Sequence, residues 1–145
     1  MLPDLTPEGY LPVGVHSANW DELQLRFGRA TSRRLWLFRE LESIVALAAA
    51  TKKLRRVFIW GSFVTAKPAP GDLDLLLVMS DDFETEQVDA VSRPVFDSTR
   101  AKLSFEADVF WTRASIGAEV LQIWLETYQT SRDLRKRGIV ELELP

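Results

Sequence analysis

Two carboxylates two residues apart, Asp72 and Asp74, stand at the head of the apolar run Leu73–Met79, and the pair Gly61-Ser62 closes the apolar run Val57–Trp60. Nine residues, Phe63–Gly71, separate the two motifs. On a strand, residues two apart project from one face with α-carbons roughly 6.6 Å apart. Asp72 and Asp74 can therefore hold one magnesium ion jointly, a hard cation that prefers oxygen ligands and keeps substrate phosphates in its shell. Leu73, Leu75 and Leu77 would face the other way, into a core. Gly61 has no side chain, so a phosphate can approach the backbone where the strand ends, and a short helix starting after it would aim free amides at the anion. Ser62 adds a hydroxyl donor. Lys67, in the connection, is a cation that can hold a triphosphate without bidentate geometry.

Strand, Gly-Ser, a short connection bearing Pro and Gly, and Asp-x-Asp leading an apolar strand together resemble the nucleotide-binding signature of the DNA polymerase beta-like nucleotidyltransferases, in their minimal bacterial form. The segments LPVGVH, GSFVTAKPAPGDLD and RGIVELEL are similar to a nucleotidyltransferase-like bacterial branch in which they recur in this order. The resemblance implies a third carboxylate on a neighbouring strand. Asp108, in FEADVFW, fits that setting, and Glu106, two residues earlier, is its rival. Asp108 is favoured because apolar residues follow it and its shorter side chain suits a fixed metal ligand. The resemblance further implies that Asp72, Asp74 and Asp108 position two magnesium ions while Gly61 and Ser62 hold the terminal phosphates. A nucleotidyl group, AMP from ATP in the first instance, would pass to an acceptor hydroxyl. It also implies a toxin–antitoxin setting, in which relatives either adenylylate a helical partner protein or act as toxins that modify transfer RNA. The connection is one residue shorter than the family's and has Thr65-Ala66-Lys67 in place of its internal glycine. That departure motivates an alternative, an idle fold that acts by binding a partner.

The elements that must carry these residues follow from periodicity. Met1–His16, with three prolines and two glycines, reads as an extended lead-in. Asn19 caps a short helix that ends at Gly28, and apolar residues at spacings of three and four mark a long helix from Thr31 to about Thr51. Arg55–Trp60, Leu73–Met79 and Leu103–Trp111 read as strands, with Ile139–Leu144 as a further edge. Asp82–Val95 reads as a helix with loops at its ends, and Ile116–Tyr128 as the last helix. The expectation is a single α/β (α+β) domain over 1–145, a small twisted mixed sheet with helices mainly on one face.

The chain has 145 residues, 46% of them hydrophobic, a net charge of -3, no cysteine and one histidine, His16. At this length a fold buries roughly 68–70% of its unfolded surface, so no disulfide or structural metal is required. Thiol chemistry, iron–sulfur clusters and Cys- or His-rich metal sites are excluded. No apolar run approaches a membrane span, and Met1-Leu2-Pro3-Asp4 lacks the features of a signal peptide, so a cytoplasmic protein without membrane contact is expected. Arg26, Arg29, Arg33, Arg34 and Arg39 read as a solvated helix face. Lys102 and Arg113 lie near the third strand in sequence, and Trp60 and Phe63 are the rings placed to stack on a base. The residues left after the core is subtracted are too few for a deep acceptor pocket. A macromolecule should therefore supply the other wall: a partner protein ahead of transfer RNA, for which Arg132, Arg135, Lys136 and Arg137 would be the phosphate-tracking patch.

Overall fold

A computed structural model describes residues Met1–Pro145. The apolar runs form a five-stranded mixed sheet of β1 (Val15–Ala18), β2 (Leu54–Trp60), β3 (Leu73–Met79), β4 (Ala107–Arg113) and β5 (Ile139–Leu142), in the order β1-β5-β2-β3-β4. Four helices accompany it, α1 (Trp20–Phe27), α2 (Ser32–Ala49), α3 (Ser98–Phe105) and α4 (Ala118–Tyr128), giving an α+β fold. β2 is antiparallel to both β3 and β5, whereas β3 with β4 and β1 with β5 are parallel. No helix is long and apolar enough to cross a membrane.

Alternation along the strands divides the sheet into two apolar faces. Val57, Ile59, Leu73, Leu75, Leu77 and Val109 pack beneath α1, α2 and α3 in the larger cluster. Phe58, Leu76, Val78 and Ile139 turn the other way and are covered by Leu121 and Leu125 of α4. Both faces of β3 are thus buried, which explains its nearly unbroken run of leucines. Helix starts follow capping chemistry: Asn19, Thr31 and Asp97 accept from the amides of Glu22, Arg34 and Arg100.

Four expectations are corrected. Leu103–Phe105 is not strand but the end of α3, because Asp97 caps a helix whose buried Ala101 faces the core while Leu103 is left exposed; the strand starts only at Ala107. Asp82–Val95 holds no α-helix, only 3-10 turns at Thr85–Gln87 and Arg93–Phe96, and Pro94 has no amide to give to a continuous helix. β5 is not an edge: it lies between β1 and β2, and the edges are β1 and β4. The lead-in ends in regular structure, since Val15 and His16 belong to β1, and its Leu2 and Leu11 are buried.

Arg34 is also not on a solvated face. It is 4% exposed, and its guanidinium donates to the carbonyls of Phe27, Phe63, Thr65 and Lys67. Arg33 beside it donates to the carbonyls of Pro70 and Gly71 and to the Glu106 carboxylate. The start of α2 thereby fixes the irregular connection between β2 and β3. Leaving these carbonyls without their donor costs about 3 kcal/mol or more in sum, since each buried group left unsatisfied costs about 1–3 kcal/mol. Arg34→Met is therefore expected to lower unfolding free energy in urea by that amount, whereas Arg39→Met, at an exposed position of the same helix, should change it by less than about 0.5 kcal/mol. Equal effects of the two substitutions would contradict this role of Arg34.

Candidate active site

Asp74 and Asp108 are register partners on parallel β3 and β4, and Trp60 of β2 lies opposite Asp74 on the other side. Their parity matches Phe58, Leu76 and Val78, so they sit on the α4 side of the sheet, beyond the end of that helix. Asp72, just before β3, completes the group. One carboxylate oxygen from each of Asp72, Asp74 and Asp108 lies within 4.8 Å of the others. Three acidic oxygens at that spacing suit a hard divalent cation such as Mg2+, with Asp72, Asp74 and Asp108 as its holders.

The electrostatics of the cluster favour a cation. Burial, followed by the like charges of Asp72 and Asp108, pushes the Asp74 carboxyl up to about 7. Lys102, at the end of α3, partly offsets the repulsion: its ammonium donates to Asp72, and to Asp108 at 3.3 Å. These bonds hold the Lys102 ammonium above its usual pKa.

Gly61 stands where φ is +80°, and a Cβ built there would fall on the Asp74 carboxylate. The space left by its missing side chain is thus used by Asp74. Ser62 opens a single 3-10 turn, Ser62–Val64, rather than an α-helix. Ser62 and Lys67 both line the cleft that holds the triad, which has a volume of about 740 Å³. Its opposite wall is the chain's own, built by Thr127 and Tyr128 at the end of α4 and by Thr130–Asp133 and Arg137 of the loop that follows. The sequence reading left that wall to a second macromolecule.

The other sequence candidates divide clearly. Lys102 belongs to the site, whereas Arg113 lies at the far end of β4, where it donates to the Phe83 carbonyl. Glu106 has a left-handed backbone at the end of α3, and its carboxylate pairs with Arg33, so Asp108 alone supplies the third acid. His16 Nε2 is 2.7 Å from the Pro12 carbonyl oxygen and lies outside the cleft's lining. Phe63 is fully buried and does not line the cleft, so its ring is not available to stack on a base. Trp60 does line the cleft, but one face is stacked on Tyr128, with ring centroids 3.7 Å apart and planes 8° from parallel. Tyr128 and Arg132 went unnoticed as cleft residues because nothing in the local pattern shows that the segment after α4 folds back over β3.

Residues 3–143 match the model of a family described as a family of unknown function, DUF6932. The chain belongs to that family. No curated protein and no solved structure matches it. Every residue of the DUF6932 chain that lines the triad cleft falls within the matched segment.

The raised Asp74 carboxyl makes a stability prediction for this DUF6932 member. A carboxyl whose folded pKa lies near 7, above the ordinary value near 3.8, binds its proton more tightly folded than unfolded. Its contribution to stability is intact below about pH 4 and is lost as pH rises through 7. Asp74→Asn removes that loss. In metal-free buffer the variant should be more stable than the parent at pH 8, by roughly 1–3 kcal/mol, with the gap closing toward pH 4. Urea titrations at the two pH values measure the gap; a variant less stable than the parent at pH 8 would contradict the crowding of these charges.

Proposed function

We propose that this chain is a divalent-metal-dependent nucleotidyltransferase with a DNA polymerase beta-like site, moving a nucleotidyl group, AMP from ATP in the first instance, to a hydroxyl of a macromolecular acceptor. The observation that carries this reading is the convergence of Asp72, Asp74 and Asp108 in one cleft with Ser62 and Lys67, beside the Gly61 turn. A cleft of about 740 Å³ suits one nucleotide, since small-ligand sites run to roughly 300–1,000 Å³. The acceptor must then come to the open side of the cleft, which favours a macromolecule that brings its own hydroxyl to the rim.

The residues divide the work as follows. Ser62 and Lys67 hold the phosphates, so that binding energy fixes the α-phosphorus against the acceptor oxygen. Asp72, Asp74 and Asp108 would hold a divalent cation, which would supply polarisation of the attacking hydroxyl and compensation of charge on the leaving group. The hydroxyl proton passes to a carboxylate oxygen of the triad. A new oxygen–phosphorus bond forms as the bond from the α-phosphorus to the β-bridging oxygen breaks, and pyrophosphate leaves. Lys102, which bonds Asp72 and Asp108, would have to yield those carboxylates to a cation and would then be within the cluster as a further positive charge for the phosphates.

A second reading rests on that same lysine. Because its ammonium already bonds two of the three carboxylates, an idle site in which Lys102 replaces the metal permanently is self-consistent, and the protein would then act by binding a partner. Calorimetry separates the two. The transferase reading expects magnesium-dependent ATP binding and release of pyrophosphate in the presence of acceptor. Asp74→Asn should lower turnover at least ~100-fold while circular dichroism stays unchanged. ATP binding of equal affinity with and without magnesium, or unaltered turnover in Asp74→Asn, would sink it.

A further inference from the structure

The triad cleft is walled by the connection after β2 and by the end of α4 with the loop that follows, but of β4 only Asp108 lines it, and no strand lies beyond β4 in the sheet. The cleft therefore meets an edge of the sheet. The Leu73 amide donates to the Glu106 carbonyl at 3.1 Å, so alternate residues from Glu106 onward, Asp108 and Phe110 among them, turn their peptide groups toward β3. Val109 and Trp111 turn theirs outward, where no strand pairs with them. Such a row of N–H and C=O groups is a template for an added strand, and proteins blunt it with short edges, proline or lysine. β4 runs for seven residues with neither proline nor lysine, whereas the opposite edge, β1, has four residues.

The side chains of this edge say what an added strand must carry. Asp108 and Phe110 share the face on which the triad stands, and the Phe110 ring is 50% exposed. An antiparallel segment bonded to Val109 and Trp111 would make Asp108 one half of a non-hydrogen-bonded pair, whose α-carbons approach to about 4.5 Å and whose side chains project together. The residue level with Asp108 thus brings a short side chain to the triad carboxylates. The residue two places before it lies level with Phe110 and covers that ring. A phosphodiester backbone offers acceptors alone and cannot answer the outward carbonyls of Val109 and Trp111. A second copy of this chain, pairing through its own β4, would bring Thr112 as that strand's one hydroxyl, and Thr112 is 9% exposed. The edge therefore suits a foreign polypeptide.

We infer that the β4 edge docks an extended segment of a partner protein as an added antiparallel strand, which sets a serine or threonine hydroxyl level with Asp108 as the nucleotidyl acceptor. The chemistry rests on the nucleotidyl-transfer reading, but the docking can be tested apart from it. The hydroxyl oxygen forms its bond to the α-phosphorus of the triphosphate as the bond to the β-bridging oxygen breaks. That electron pair leaves with pyrophosphate, and the hydroxyl proton passes to a triad carboxylate. Phe110 selects the segment by covering an apolar side chain and takes no part in the transfer.

The test uses the full chain and a mixture of peptides of about nine residues, with serine or threonine at the centre, valine, isoleucine or phenylalanine two places before it, and the other positions randomised. Amide exchange followed by NMR should show the Val109 and Trp111 amides slowed about tenfold or more by the peptides. N-methylation of the residue before the hydroxyl, whose N–H would meet the Val109 carbonyl, should weaken binding about tenfold. The same group on the hydroxyl residue itself, whose N–H faces away, should change binding less than about twofold. Phe110→Thr, which keeps a strand-forming residue, should weaken binding about threefold or more. Val109 and Trp111 amides that exchange as fast with millimolar peptide as without it, or equal effects of the two N-methyl groups, would overturn the docking edge. So would slowing that appears without peptide together with a doubled mass in light scattering, which would give the edge to a second copy. Labelling of RNA in preference to the peptides would overturn the polypeptide acceptor. If the peptides dock as described but receive no nucleotidyl group from any triphosphate with magnesium or manganese, the transfer reading fails and the docking edge stands. If both N-methylated peptides are labelled equally well, the docking edge fails and the transfer reading stands.

Discussion

Three carboxylates with oxygens inside 4.8 Å of one another repel, and the molecule can be read as the apparatus that keeps them there. The carrier is the pairing of β3 with β2 and β4. Its backbone hydrogen bonds set Asp74 level with Asp108, and a shift of either strand by one residue would turn that carboxylate into the core beneath α2 and α3. Apolar burial on both faces of β3 makes such a shift costly. Gly61 removes the one steric obstacle to the Asp74 side chain, and Lys102 supplies partial compensation from α3. Stability and chemistry are thus opposed at this point: the group that costs the fold most is the group best placed to hold a cation.

The rest of the cleft depends on a different set of contacts that lead to the same place. The connection Gly61–Gly71 has little regular structure of its own, and the guanidiniums of Arg33 and Arg34 substitute for it by satisfying its carbonyls from the start of α2. On its outer side the lead-in is strapped down by the Tyr10–Thr65 bridge and by the Ala66 amide donating to the Gly9 carbonyl at 2.8 Å. The same Tyr10 then braces Arg137 from the loop after α4. Three distant pieces of chain, the lead-in, the connection and the penultimate loop, are therefore fixed against one another around the cations of the cleft.

Much of this arrangement was legible in the sequence where local chemistry dictates local form. Asn19 announces the first helix by capping, apolar residues at spacings of three and four announce the second, and the leucines of β3 announce a buried strand. Asp72 and Asp74 could be singled out because they follow a strand ended by Gly-Ser at a short spacing, and Asp108 because the family that this arrangement resembles carries a third acid on a neighbouring strand. The failures have two causes: period-two and helical patterns overlap in short segments, and long-range contacts leave no local pattern. Leu103, Phe105, Ala107 and Val109 alternate, yet the Asp97 cap claims the first two for α3. Arg34 looks like one more surface cation until the connection it serves is folded over it. The lining role of Tyr128, Arg132 and Arg137 is set by a long-range return of the chain, including the Gly138 amide donating to the Leu11 carbonyl at 2.8 Å, and no spacing rule reports that.

The central claim, that the triad is a cation site and not an acidic patch neutralised by Lys102, is tested most directly by anomalous diffraction from crystals grown with manganese and a non-hydrolysable triphosphate. The account predicts a manganese peak bonded to one oxygen each of Asp72, Asp74 and Asp108, with the Lys102 ammonium displaced from Asp72 and Asp108 toward the phosphates. A triad still bridged by Lys102 and free of manganese, at a metal concentration that fills other sites, would contradict it.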